Sequence, residues 1–396
     1  MMNVLNFLKN SSSRPVELGL PISEYRLLCS GLVYNSEVFS VVWTQNRAAR
    51  CLSERPFELS VLGDEEYPQE LILRIAAGMT SESGNGISIH RQADDEIAED
   101  LAALLSLLLR RLITVSAKVR ISLPGEKPEE FPMPLLNSIR RTVRRKRPSF
   151  VKLGSEGLSV SSHVLPPVPV HAGELHRLLS ALPHLESAAA YVRSARLYSQ
   201  AVRLLDEYPD VSYVLLISCV ETAADAYLPS WKPDSDKMRE SKKSMIQYAE
   251  GIGLREEQWG KLADLACKDM RWTSERFQEF LIRYVPDSLW EDSEEFKSIE
   301  AFIPSKERFC EVLKLICRTR GRALHAGEAF PITGRLEPSE MLPVDAVLHL
   351  SPERPCLPPA TWFERVVSMT LRSYLESRAP NELATNRADG ISGPSA

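Results

Sequence analysis

The chain has 396 residues with Lys plus Arg 48 against Asp plus Glu 53, so its formal net charge is −5. A hydrophobic share of 44% with 26% charged residues is ordinary globular composition, which excludes a disordered chain and a fibre. The acidic balance excludes a global positive field that would draw the protein to nucleic acid, so any such contact needs a local patch.

No apolar run reaches the 18 residues a membrane helix needs, so no membrane is expected. The opening MMNVLNFLKN lacks a basic start followed by a long apolar stretch, which argues against a secretory signal. The seven cysteines (Cys29, Cys51, Cys219, Cys267, Cys310, Cys317 and Cys356) form no C-x-x-C pair. They read as free or buried thiols in a reducing, cytoplasmic setting.

In chain order, residues 14 to about 92 are strand-rich. RPVELGL, SGLVYNSEVFSVVWTQ, FELSVLG, ELILRIA and GISIH are β-type runs between polar breaks. The period then changes: Ile97, Leu101, Leu104, Leu105, Leu108 and Leu112 recur at helical spacing. Asp94, Asp95 and Glu96 stand at the expected start and Arg110 and Arg111 at the expected end, a polarity that suits the helix dipole. ITVSAKVRISL returns to strand character. The fold class expected is α+β, with an N-terminal mixed domain over 1–160.

Residues 161–174 carry Pro166, Pro167 and Pro169 and read as an extended linker. An all-helical domain follows over 175–382, and the polar tail 383–396 reads as disordered. Tyr191, Ala195, Tyr198, Val202 and Leu205 mark one helix, closed by Pro209. VSYVLLISCVETAADAYL is apolar nearly all round until Glu221 and predicts a central, buried helix. Shorter helices are expected over 237–251, 255–268 and 274–284, an acidic loop over 287–300, and strong helices over 306–325 and 361–377. There is no internal repeat.

The chain has no P-loop, no G-x-G-x-x-G, no H-E-x-x-H and no G-x-S-x-G. His171 and His176 lie close together without a cysteine or acidic cluster at metal-ligand spacing, so neither metal nor cofactor is expected.

Two segments stand out. ERFCEVLKLICRTRGRALHAG, residues 307–327, crowds Arg318, Arg320 and Arg322 ahead of His325. On a helical wheel Arg320 falls inside the apolar stripe, while Arg318 and His325 fall together on the opposite side. An arginine in an apolar stripe is costly unless it is paired or faces a functional cavity. The plain alternative is a basic helix C-terminus favoured by the dipole and closed by Gly327. Glu221 reads either as a helix-end carboxylate reaching solvent or as a buried partner that orients an arginine or the histidine.

The second segment is SIRRTVRRKRP. Arg140, Arg141, Arg144, Arg145, Lys146 and Arg147 crowd here, and from 131 to 155 there is no acid. It is either a solvated basic face or a sequence-blind contact to RNA phosphates. It lacks the interleaved aromatics that base stacking needs.

Arg320 and His325, with four residues between them, match the R-x4-6-H motif of the HEPN superfamily; Arg318 and His325, with six between, match it too. The motif stands late in an all-helical region after a buried helix carrying LLISCVETA. In this the chain resembles the ApeA-like branch, where an α+β domain precedes the HEPN bundle. The resemblance implies a metal-independent endoribonuclease, working as a homodimer, that cuts RNA in antiviral defence once a phage-derived trigger is sensed. A non-catalytic HEPN dimerisation or nucleotide-binding module is the alternative. Active members commonly place a polar residue after the motif arginine; that residue is Thr319 in one frame, whereas Gly321 stands there in the other.

Overall fold

The computed structural model describes residues 22–29, 32–34, 57–61, 70–76, 90–122, 127–130, 150–154, 157–161, 168–170, 172–205, 208–231, 273–291, 304–326, 357–358 and 360–378, with a few single positions between 243 and 261. Among them the fold is mixed, an antiparallel sheet with seven α-helices. The basic run 140–147, the helices expected over 237–251 and 255–268, and the tail 383–396 lie outside the described residues or nearly so.

The sheet has five strands in the order β3-β4-β1-β5-β6. They are β1 (Ile22–Leu28), β3 (Phe57–Val61), β4 (Glu70–Ala76), β5 (Thr114–Ser122) and the two-residue β6 (Glu129–Glu130), and every pairing is antiparallel. β2 (Leu32–Tyr34) pairs parallel with β9 (Val168–Val170), and β7 (Phe150–Gly154) forms a hairpin with β8 (Gly157–Ser161). The central strand β1, ISEYRLL, is absent from the expected runs. Its alternation puts Tyr25 and Leu27 into the hydrophobic core, while Glu24 and Arg26 are also buried on the other face. Arg74 Nε donates to Glu24 Oε1 at 2.9 Å, which satisfies charge inside the fold.

The helix α1 (His90–Leu109) lies against this sheet. Ile97, Leu101, Leu104, Leu105 and Leu108 pack in one cluster with Tyr25, Leu27, Leu71, Leu73 and Ile75. It begins at the last residue of GISIH, a turn before Asp94, and ends before Arg110, so neither the acids nor the arginines occupy the terminal turns. The acids thus lie one turn inside the helix, while Arg110 and Arg111 directly follow its last residue, as expected. Arg110 adopts φ 53°, and Arg111 N donates to Ser106 O at 3.2 Å. This is a Schellman ending with arginine where glycine is usual.

Around α1 stand α2 (Ala172–Ala181), α3 (Ala188–Leu204), α4 (Pro209–Tyr227), α5 (Thr273–Tyr284), α6 (Phe309–Ala326) and α7 (Ala360–Arg378). Pro209 opens α4, at a position where its missing N–H is no loss, and α3 has already ended. α4 is central, packing on α3, α5 and α7. Ser194 Oγ donates to Cys219 O, and Cys219 Sγ to Ser194 O, so α3 and α4 lie close.

Within 161–174, residues Val168–Val170 form strand β9 and α2 begins at Ala172. One hydrophobic core runs from Tyr25 through α1 to Leu375. Asp100 on α1 pairs with Arg196 on α3. On α7, the wholly buried Glu364 accepts from Tyr198 OH, and Arg110 Nη2 reaches it at 3.3 Å. Ser368 Oγ donates to Leu107 O at 2.7 Å and Arg372 Nη1 to Leu108 O at 3.4 Å. The last helix thus caps the C-terminus of α1. No helix of the described residues is long and apolar enough to cross a membrane.

Candidate functional site

α6 carries the arginine-rich segment, with His325 in its last turn. Its apolar stripe buries Phe309, Val312, Leu313 and Ile316. Trp290 and Trp362 stack edge-on or tilted around Phe309 and fix the start of the helix.

Near its C-terminal end the stripe reaches Arg320, which turns inward to α4. Arg320 Nη2 lies 2.9 Å from Glu221 Oε2, and the two side chains are 28% and 13% exposed. Glu221 stands on α4 six residues before its end and is mostly covered where it meets α6. Burial raises its pKa above the ordinary carboxylate value, the Arg320 guanidinium opposes that rise, and the nearby Asp225 adds to it. The pair is a carboxylate and a guanidinium held together where water is scarce. It can present the remaining guanidinium N–H groups to an anion.

Arg318 points away and is exposed. Thr319, the polar residue that follows it, is buried, and its hydroxyl has no hydrogen-bond partner. Gly321 sits where an added Cβ would meet nothing within 4 Å. Nothing steric therefore demands glycine there, and its cost to the helix is entropic. Gly321→Ala should stabilise the protein by about 1 kcal/mol, seen as a higher urea midpoint at unchanged slope. A lower midpoint would mean that the position is more constrained than its surroundings imply.

Cys317 lies on the same turn, its Sγ 3.9 Å from both Gln278 Nε2 and Ser274 O on α5. Burial, with the Glu221 charge second, pushes its thiol up to about 12. It is a packed thiol, not a nucleophile.

One turn beyond Glu221, Asp225 pairs with Arg276 Nη1 at 3.2 Å. Neither residue stands out in the sequence, because Asp225 lies near the polar end of a mostly apolar helix and Arg276 is one charged residue on an amphipathic one. The usable signal is the i, i+4 spacing of Glu221 and Asp225 on a helix otherwise apolar at its centre. Asp225 also lines an open groove of about 740 Å³ with Thr222, Arg193, Ser187 and Glu186.

The structure thus brings together Glu221 and Arg320 and leaves Arg318 outside. For His325 it describes the backbone alone. Among the described residues no group of three His, Cys, Asp or Glu side chains could hold a metal ion. No family model matches the chain, and neither does any curated protein or solved structure.

Proposed function

We propose that this chain is a metal-independent endoribonuclease of the HEPN type, acting in the cytoplasm as a homodimer. In this reading it is an antiviral defence effector that cuts RNA when a phage-derived trigger is sensed. The observation that carries the proposal is the Glu221–Arg320 pair: the motif arginine is oriented by a carboxylate 99 residues earlier in the chain.

In the reaction, His325 takes the proton of a ribose 2′-OH, whose oxygen attacks the adjacent phosphate. The bond to the 5′-oxygen breaks, and that oxygen receives a proton from a second imidazole, supplied by the other copy of the chain. The products are a 2′,3′-cyclic phosphate and a 5′-hydroxyl end. Arg320 grips the phosphate oxygens and stabilises their growing charge. Arg140, Arg141, Arg144, Arg145, Lys146 and Arg147 supply a salt-dependent hold on the backbone.

The test is cleavage of RNA by the full chain in excess chelator, with its trigger present. His325→Ala should abolish it with unfolding unchanged, because the wheel keeps His325 off the apolar stripe. Cleavage that survives His325→Ala, or that needs an added metal, sinks the proposal. Gly321, where active relatives commonly carry a polar residue, favours the second reading, a non-catalytic HEPN dimerisation or nucleotide-binding module. That reading predicts RNA or nucleotide binding without cleavage.

A further inference from the structure

α4 presents two carboxylates one turn apart, a rise of about 6 Å. Each meets an arginine from a different helix: Glu221 meets Arg320 of α6, and Asp225 meets Arg276 of α5. The two pairs differ in how firmly they are closed. Asp225 is 51% exposed, whereas Arg276 is 15% exposed and is held by the body of α5. The contact is monodentate, through Nη1. Arg276 Nε is buried and has no hydrogen-bond partner. A guanidinium has five N–H donors in a planar fork, so beside the closed-off Nε and the single Nη1 contact Arg276 keeps further Nη donors for a phosphate.

Asp225 is also the point where this pair meets the groove. The groove lies between the start of α3 and the end of α4, with Arg193 on the α3 side. Its volume is in the range that holds a nucleotide-sized molecule. A second anionic ligand next to the Glu221–Arg320 pair would therefore find a mostly covered guanidinium, an exposed carboxylate that water can take over, and open space beyond.

We infer that Arg276 is a second phosphate-binding residue, occupied by Asp225 in the free protein, which takes the backbone phosphate next to the one cleaved while the flanking nucleoside lies in the groove. This rests on the endoribonuclease reading. Asp225 is then a placeholder that the RNA displaces, not a partner whose loss harms binding.

The two variants of the pair are expected to move binding in opposite directions. The measurement is anisotropy of a short labelled single-stranded RNA on the full chain carrying His325→Ala, so that the RNA stays whole, over a salt series. Arg276→Gln should weaken binding about tenfold. It should also reduce the salt slope by about 0.7, the value for one phosphate on a single strand. Asp225→Asn should tighten binding severalfold, and because Asp225 is exposed this variant folds even if Arg276→Gln does not. Unchanged affinity and slope in Arg276→Gln, with the parent chain binding RNA, overturns this inference alone. So does Asp225→Asn weakening binding, since a purely structural pair loses from either side. If the parent chain binds no RNA at any salt, this inference falls together with the endoribonuclease reading.

Discussion

Arg110→Gly should destabilise the protein by roughly 2–4 kcal/mol, even though glycine is the residue its backbone favours. Arginine at φ 53° costs on the order of 1 kcal/mol that glycine would relieve. Against this, the guanidinium reaches the wholly buried carboxylate of Glu364. Tyr198 OH still donates to Glu364 when the guanidinium is gone, so the loss is at most the roughly 3–5 kcal/mol of breaking a buried pair. The second effect is larger, so the net sign is destabilising. Urea unfolding of both forms decides it. A neutral or stabilised glycine variant would show that Glu364 does not depend on Arg110. Adding Glu364→Gln to the glycine variant should recover part of the loss, because an amide still accepts from Tyr198 OH and carries no charge to compensate.

On the proposed endoribonuclease reading, Arg320→Ala should lower RNA cleavage by a factor on the order of 10²–10³, while the exposed Arg318→Ala leaves it nearly unchanged. The structure turns Arg320 toward Glu221 and Arg318 toward solvent. The reverse result would make the six-residue spacing the working motif. Arg320→Ala should also carry a pH signature in stability. Burial raises the Glu221 pKa and Arg320 opposes the rise. Without the guanidinium, the carboxylate protonates at higher pH and its charged form is left uncompensated. The stability lost should be largest near neutral pH and shrink as pH falls and Glu221 becomes neutral. A loss independent of pH would show that packing of the arginine stem, not its charge, was removed.

α3, α6 and α7 are legible because each buries one continuous stripe, as Tyr191, Ala195, Tyr198 and Val202 do on α3, whereas α2 (Ala172–Ala181) is not among the expected helices. The wheel also places Arg320 in the stripe of α6, which makes a partner necessary on cost alone. The identity of that partner is not written locally, since Glu221 lies 99 residues away. β1 is hidden for the opposite reason. Glu24 and Arg26 look like solvent-facing residues, yet both are buried, with Glu24 paired to Arg74 fifty residues on. The linker reading of 161–174 follows its prolines, but Val168–Val170 still pair with Leu32–Tyr34, because an edge position tolerates Pro169. Asp225 and Arg276 are equally opaque, since only the approach of α5 to α4 gives them each other.

The cap that α7 places on α1 sets a timetable for synthesis. The carbonyls of Leu107 and Leu108 accept from Ser368 and Arg372, 261 and 264 residues later in the chain. At about 5–20 residues per second, a ribosome spends roughly 13–50 s between making the end of α1 and making the helix that closes it. During that interval the motif helix α6 has already been translated, ahead of α7. The nascent chain therefore carries its arginine–histidine segment before the C-terminal end of α1 is capped, although α1 can already meet α3 through Asp100 and Arg196.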